Sequence, residues 1–206
     1  KQKKFTSLNR EGKYKIAEIW IQNHLKQYPM DIGFYYLRAE NLYFQKKFLE
    51  AIGQLDFIKQ RFGKQLIDTG TCLVDELLAY CWNSLGENKK AALSFKSASK
   101  LSTDYRSRAD MYSNYLFLSN YFSDITNEAL FLEHKEYNDI FKDITCYTHT
   151  NRKAKKEKIR IGYISPDFRV HVVTYFSYML LAKYNKGKYE VFFFFFKQRD
   201  PVTDQL

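Results

Sequence analysis

The sequence predicts a mostly α fold: an array of paired helices followed by the first β-α-β unit of a parallel sheet. Three observations predict it. A short turn-and-helix motif recurs along the first half of the chain. Only 3 Pro and 8 Gly punctuate 206 residues, which favours long helices. After residue 158 two short, uniformly apolar runs appear with a helical stretch between them, the pattern of strands buried on both faces.

Gly12-Lys13-Tyr14-Lys15-Ile16-Ala17 lines up with Lys46-Lys47-Phe48-Leu49-Glu50-Ala51 at an offset of 34 residues, the tetratricopeptide period. A third copy, Gly86-Glu87-Asn88-Lys89-Lys90-Ala91, lies 40 residues further on. About six residues are therefore inserted, placed around Gly63 to Thr71. The Gly or its substitute ends the first helix of a pair, where φ > 0 is wanted. The aromatic packs over the turn, and the Ala lets the second helix approach the first. Leu37-Arg38-Ala39 and Leu77-Leu78-Ala79 put a small residue on the first helix. Leu42 and Trp82 take one equivalent position, and Ile21, Leu55 and Phe95 another. Pro29 stops the first copy. That copy lacks most of its leading helix, so the array is expected to extend N-terminally. Residues 1–102 are assigned to it. Glu40-Asn41-Leu42-Tyr43-Phe44-Gln45 spells the recognition sequence of a viral protease used to remove tags. It sits in frame with the repeat and precedes Lys46, and reads as a native coincidence.

Residues 103–150 form a helical connector. One helix runs from Asp104 to Tyr121, with Met111, Tyr115, Leu118 and Phe122 on its apolar face. A second starts at Asp124 or Thr126 and reaches about Phe141, with Leu130, Phe131, His134, Tyr137 and Phe141 at helical spacing. His134, among these apolar positions, is read as structural. Residues 151–158 are a basic, exposed linker. From 159 a truncated lobe begins. Ile159 to Ile164 is a β-branched strand, Ser165 to Arg169 a loop, Val172 to Tyr184 a helix, Asn185 to Lys188 a turn and Tyr189 to Phe196 a second strand. Asp200 to Leu206 would start the next helix. Two strands do not make a stable parallel sheet alone.

Composition excludes several classes. Hydrophobic residues make up 45% and aromatic residues 18%, enough to build a core. The net charge is +10, from 33 Lys+Arg against 23 Asp+Glu. It is read as a solubility feature rather than a nucleic-acid footprint, because no recognition helix, zinc spacing or RNA-binding signature accompanies it. Cys72, Cys81 and Cys146 are odd in number and none is spaced C-x-x-C. That argues against a disulfide framework or a zinc site, and each is expected as a small core residue. No signal peptide or membrane-length apolar run is present. The expected compartment is the cytoplasm, for residues that open on Lys1 rather than Met.

The run Arg160-Ile161-Gly162-Tyr163-Ile164-Ser165-Pro166-Asp167-Phe168-Arg169-Val170-His171 is the specific part. It resembles the opening of the catalytic region in the O-linked N-acetylglucosamine transferase family, which includes plant Spindly proteins and bacterial relatives. The family reads there as a strand ending in G-Y-[VI]-S-x-D-F, two variable residues and His. Tyr189-Glu190-Val191-Phe192 fits the family's second strand, and Asp200-Pro201-Val202-Thr203 fits the segment beyond that strand. Tyr112-Ser113-Asn114-Tyr115-Leu116-Phe117 and Glu133-His134-Lys135 resemble the helices that join repeats to the catalytic half.

The resemblance implies the Rossmann-like N-lobe of a GT-B enzyme, inverting and without a metal or cofactor. UDP-N-acetylglucosamine would be the donor substrate, held mainly outside these residues, and Ser or Thr hydroxyls of proteins the acceptors. His171 matches the family's active-site histidine and is the catalytic candidate. Loops at the carboxyl ends of parallel strands line a ligand crevice, a helix N-terminus offers free N–H groups to diphosphate, and imidazole exchanges protons near neutrality. The alternative for His171 is a helix-start residue that caps or packs. Ser165, Asp167 and Arg169 are the substrate-binding candidates. Asp167 is read first as the cap of the following helix. Arg169 reaches a phosphate or acceptor backbone, or forms a surface ion pair. Val172-Val173 stand where family members often have Pro or Ser. No G-x-G-x-x-G loop is present.

The expected partner is an acceptor polypeptide on the concave face of the repeats, with self-association through the repeats and no nucleic acid. The other reading is a non-catalytic repeat scaffold with a degenerate lobe. Residues 1–206 alone are expected to transfer no sugar. His171→Ala in the complete protein is expected to cut kcat while thermal stability barely changes.

Overall fold

The computed structural model describes residues 8–9, 11–68, 71–148 and 157–194. These divide into two compact units, one ending at Thr145 and the other beginning at Cys146.

The first unit is helical. Its elements are α1 (Tyr14–Gln27), α2 (Ile32–Phe44), α3 (Phe48–Asp68), α4 (Leu73–Ser84), α5 (Asn88–Leu101), α6 (Tyr105–Ser119) and α7 (Asn127–Glu136), then a 3-10 turn at Tyr137–Phe141. Three turns repeat one geometry. Gly12 (φ 73°), Lys46 (φ 61°) and Gly86 (φ 77°) take the left-handed conformation just past a helix end. At each, the residue's own N–H and the next one donate back to the last helical turn. Gly12 and Lys13 bond to Asn9 and Leu8, Lys46 and Lys47 to Tyr43 and Leu42, and Gly86 and Glu87 to Asn83 and Trp82. This is the two-bond helix stop that satisfies orphan carbonyls.

The alanines do what close packing asks of them. Ala17, Ala51 and Ala91 are fully buried, as are Ala39 and Ala79 on the partner helices. Ile21, Leu55 and Phe95 are buried at their common position. One cluster joins Ala17 and Ile21 to Phe34 and Leu37. A second fills the space among α2, α3 and α4, and a third joins α4 and α5 to Met111, Tyr112, Tyr115 and Leu116 of α6. The inserted residues extend α3 itself. It runs 21 residues where α1 and α5 run 14, and its added turns bury Phe62 and Leu66.

Two expectations fail here. His134 does not pack; it is exposed, and α7 buries no residue. Its attachment is polar, so apolar spacing misleads. Cys146 is exposed too, whereas Cys81 is buried and Cys72 half-buried. Burial pushes the Cys81 thiol up to about 12. The hexapeptide at 40–45 lies within α2 and its C-cap, in frame with the repeat.

The second unit is a β-α-β. β1 (Ile159–Ile164) and β2 (Tyr189–Phe194) pair in parallel, from Ile159 opposite Tyr189 to Ile164 opposite Phe194. α8 (Val172–Ala182) forms the crossover. Gly162 brings a strand close to the Phe194 ring, which a Cβ there would meet at 3.2 Å. The expected next helix at 200–206, Phe195 and Phe196, and most of the basic linker lie outside the described residues. Among those described, no helix is long and apolar enough to cross a membrane.

Candidate functional site

The loop from Ser165 to His171 leaves the carboxyl end of β1 and enters α8. Ser165 N–H donates to Phe194 O at 3.1 Å, the last rung of the ladder. Its Oγ accepts from Asp167 N–H at 3.1 Å, which turns the chain. Phe168 is buried and meets Phe193 edge-on at 5.4 Å, pinning the loop to the sheet. Arg169 N–H donates to Asp167 O at 2.8 Å.

Three of the sequence candidates meet, with Arg169 and His171 facing the carboxylate of Asp167. Asp167 Oδ1 lies 3.5 Å from Arg169 Nη2, and Oδ2 lies 3.8 Å from His171 Nδ1. Arg169 therefore forms the ion pair that was one of its two readings, with its guanidinium still partly exposed. Ser165 spends its hydroxyl on the loop backbone.

Asp167 does not cap α8. The helix starts at Val172, so the residue placed to cap it is His171, whose Nδ1 accepts from Val173 N–H at 3.3 Å. A carboxylate one helical turn further back is directed to Arg169 and the imidazole instead. Against the expectation that His171→Ala barely changes stability stands this capping bond, of a kind that costs roughly 0.5–2 kcal/mol when a Ser, Thr, Asn or Asp cap is lost. The cap constrains the imidazole. An Nδ1 lone pair that accepts a hydrogen bond leaves the proton on Nε2, so the resting ring is a donor at Nε2.

One residue escaped sequence reading. Thr174, on the first turn of α8, is 1% exposed. Its hydroxyl donates to Asp167 O and accepts from Arg169 N–H at 3.4 Å. A threonine in an apolar helix carries no signal of that role.

The first unit offers a second surface, on α2, α4 and α6, the leading helices of successive pairs. Burial pushes the Glu76 carboxyl up, with Asp110 adding to it. The Tyr36 hydroxyl is raised by burial and then by Glu40 and Glu76, and the Tyr80 hydroxyl by burial and then by Glu76, Tyr43 and Asp110. Acidic and aromatic side chains of these helices thus lie within electrostatic reach of one another, in a chain whose net charge is +10. Among the described residues no group of three or more His, Cys, Asp or Glu could hold a metal ion.

The fold and the loop define a class: a tetratricopeptide-type repeat protein that carries a parallel β-α-β unit with a polar loop at the end of its first strand. Comparison with known proteins narrows it. No family model matches the chain. It is 36% identical over 80 residues to the probable UDP-N-acetylglucosamine–peptide N-acetylglucosaminyltransferase SPINDLY of Arabidopsis thaliana, a match covering 38% of this chain and 9% of that protein. The tomato (Solanum lycopersicum) protein of the same name is 32% identical over 80 residues, with the same coverage. In fold, the chain matches a point mutant of the Thermobaculum terrenum O-GlcNAc transferase with a TM-score of 0.58 at 19% identity, over 98% of this chain and 38% of that one. The chain thus spans about two fifths of the length of that transferase. The two plant proteins are of the kind that residues 160–171 resemble, and the transferase match is one of fold.

Proposed function

We propose that this chain supplies the repeat array and the opening β-α-β of the N-terminal lobe in a protein O-glycosyltransferase of the GT-B type. The enzyme transfers N-acetylglucosamine from UDP to Ser or Thr hydroxyls, inverting and without a metal. The observation that carries this reading is the convergence of Asp167, Arg169 and His171 in the loop after β1, on a chain that matches an O-GlcNAc transferase fold over 98% of its length.

His171 serves as a hydrogen-bond donor through Nε2, to the acceptor hydroxyl or to an oxygen of the leaving diphosphate. The capping bond from Val173 N–H orients the ring, and the Asp167 carboxylate places negative charge 3.8 Å from Nδ1. Arg169 supplies positive charge beside the N-terminus of α8, where anions are favoured. The face of α2, α4 and α6 holds the acceptor polypeptide.

The test separates capping from chemistry. In the transferase that contains this chain, His171→Ala and His171→Asn are both expected to lower transfer by about 100-fold or more. Asn caps a helix well, so it restores the thermal stability that Ala loses. Wild-type turnover in the Asn variant would show that His171 only caps. The capping bond also favours a second reading, a repeat scaffold that binds polypeptide without transferring sugar. Polypeptide binding with no transfer from UDP-N-acetylglucosamine by that whole protein would establish it.

A further inference from the structure

The Ser165–His171 loop is closed by a single buried hydroxyl. Thr174 is almost fully buried, yet both hydrogen-bonding functions of its side chain point back into the loop. The O–H donates to the carbonyl of Asp167 and the oxygen accepts from the amide of Arg169. The two residues it holds are those whose side chains form the ion pair, and the Asp167 carboxylate in turn faces His171. Ser165 bonds to the near side of the turn, and Phe168 fixes it to the sheet.

Resting on the glycosyltransferase reading of the loop, we infer that Thr174 is the positioning residue of the site: it fixes the spacing of Asp167, Arg169 and His171 without touching substrate. Its geometry is suited to this because a buried hydroxyl bonded to two backbone groups is held on both sides. An apolar isostere removes one of the donors to the Asp167 carbonyl, leaving the Arg169 N–H bond at 2.8 Å, and cuts the hydrogen-bonded link from the loop to the first turn of α8, so the loop relaxes. Serine keeps the hydroxyl and loses only a methyl group. With valine, the side chains at 167, 169 and 171 drift by the fraction of an ångström to which catalytic geometry is sensitive.

The experiment compares Thr174→Val with Thr174→Ser by site-resolved amide hydrogen exchange and by kinetics. In the 206-residue chain, the Arg169 amide keeps its 2.8 Å bond to Asp167 O and loses the 3.4 Å one to Thr174, and it is expected to exchange about tenfold faster in the Val variant because the untied loop opens more readily. It should stay near wild type in the Ser variant, and amides of α4 to α6 should not change in either. In the transferase that contains the chain, the Val variant is expected to lose about tenfold or more in kcat with little change in donor KM, and Ser to rescue it. Unchanged Arg169 exchange in the Val variant overturns the inference. So does faster exchange accompanied by wild-type kcat, which leaves the glycosyltransferase reading intact. Absence of transfer in the wild-type transferase sinks that reading instead, and the exchange data still decide whether Thr174 holds the loop.

Discussion

Lys46 carries a cost that its two counterparts avoid. Gly12 and Gly86 take φ of 73° and 77° freely, whereas Lys46 holds φ 61° with a Cβ in place. A left-handed L-residue costs about 1 kcal/mol. Lys46→Gly is therefore expected to stabilise the first unit by about 0.5–1 kcal/mol, after the entropy gained by the unfolded glycine. Gly86→Ala is expected to destabilise it by about 1 kcal/mol, and for a clean reason: a Cβ there meets nothing within 4 Å, so only backbone strain acts. Urea unfolding of both variants checks the pair, and a destabilising Lys46→Gly would contradict the argument. At the same scale, the glycine-or-substitute position was legible from spacing alone, because three copies demand one backbone geometry. The cap of α8 was not. Asp outranks His in capping propensity, and only the observed helix start hands the task to His171.

Among the elements, α7 shows what periodicity leaves out. It buries no side chain and is held by a polar cluster. Lys96 Nζ of α5 donates to both oxygens of Glu133 at 2.7 and 2.6 Å. The Tyr112 hydroxyl of α6 lies 2.9 Å from an oxygen of Glu133 and 2.9 Å from one of Glu136, which share its single proton. Burial pushes the Glu133 carboxyl up, but the hydrogen bonds from Lys96 and Tyr112 outweigh it and hold it below the usual carboxylate range. Burial likewise opposes the Lys96 charge, and the bond to Glu133 overcomes it and raises the ammonium. The Tyr112 hydroxyl is raised by burial and then by its carboxylate partners.

Proton linkage sets the signs. Glu133 is lowered in the fold, so its contribution is complete above the ordinary carboxylate value of 4.5 and fades as pH falls through its folded value. Tyr112 and Lys96 are raised, so theirs are complete below 10.0 and 10.5 and fade as pH climbs above those values. Thermal stability of the first unit should therefore be flat between about pH 5 and 9.5 with respect to this cluster. Glu133→Gln should lower the plateau and blunt the acid limb. An acid limb unchanged by that substitution would show that the cluster does not hold α7. Partners 37 residues apart in sequence gave no pattern to read.

For the molecule as a whole, the two units differ in how much apolar surface they cover. The helical unit encloses three buried clusters. The β-α-β unit leaves Val172, Tyr175, Phe176, Met179 and Leu180 of α8 exposed, Phe176 by 88%, together with Ile164 and Phe194 of the strands. Such apolar surface marks an element that gains stability from partners, and a two-stranded sheet is marginal by itself. Residues 1–145 are expected to unfold in a cooperative transition, and residues 146–206 by themselves to show none, by circular dichroism on heating. A cooperative melt of the second piece would overturn that division of stability.

The sequence by itself determined the pairing of helices, the parallel β-α-β and the loop that carries Ser165, Asp167, Arg169 and His171. These arise from local rules: a turn needing φ > 0, alanines where helices touch, and apolar runs of strand length. Only the tertiary structure decided that the insertion lengthens α3, that α7 is held by charge, that His171 caps α8, and that Thr174 ties the loop. Each depends on which groups meet across the fold once backbone donors and carbonyls have chosen partners. Linear spacing does not encode that choice, because hydrogen bonds and ion pairs are satisfied in space and not along the chain.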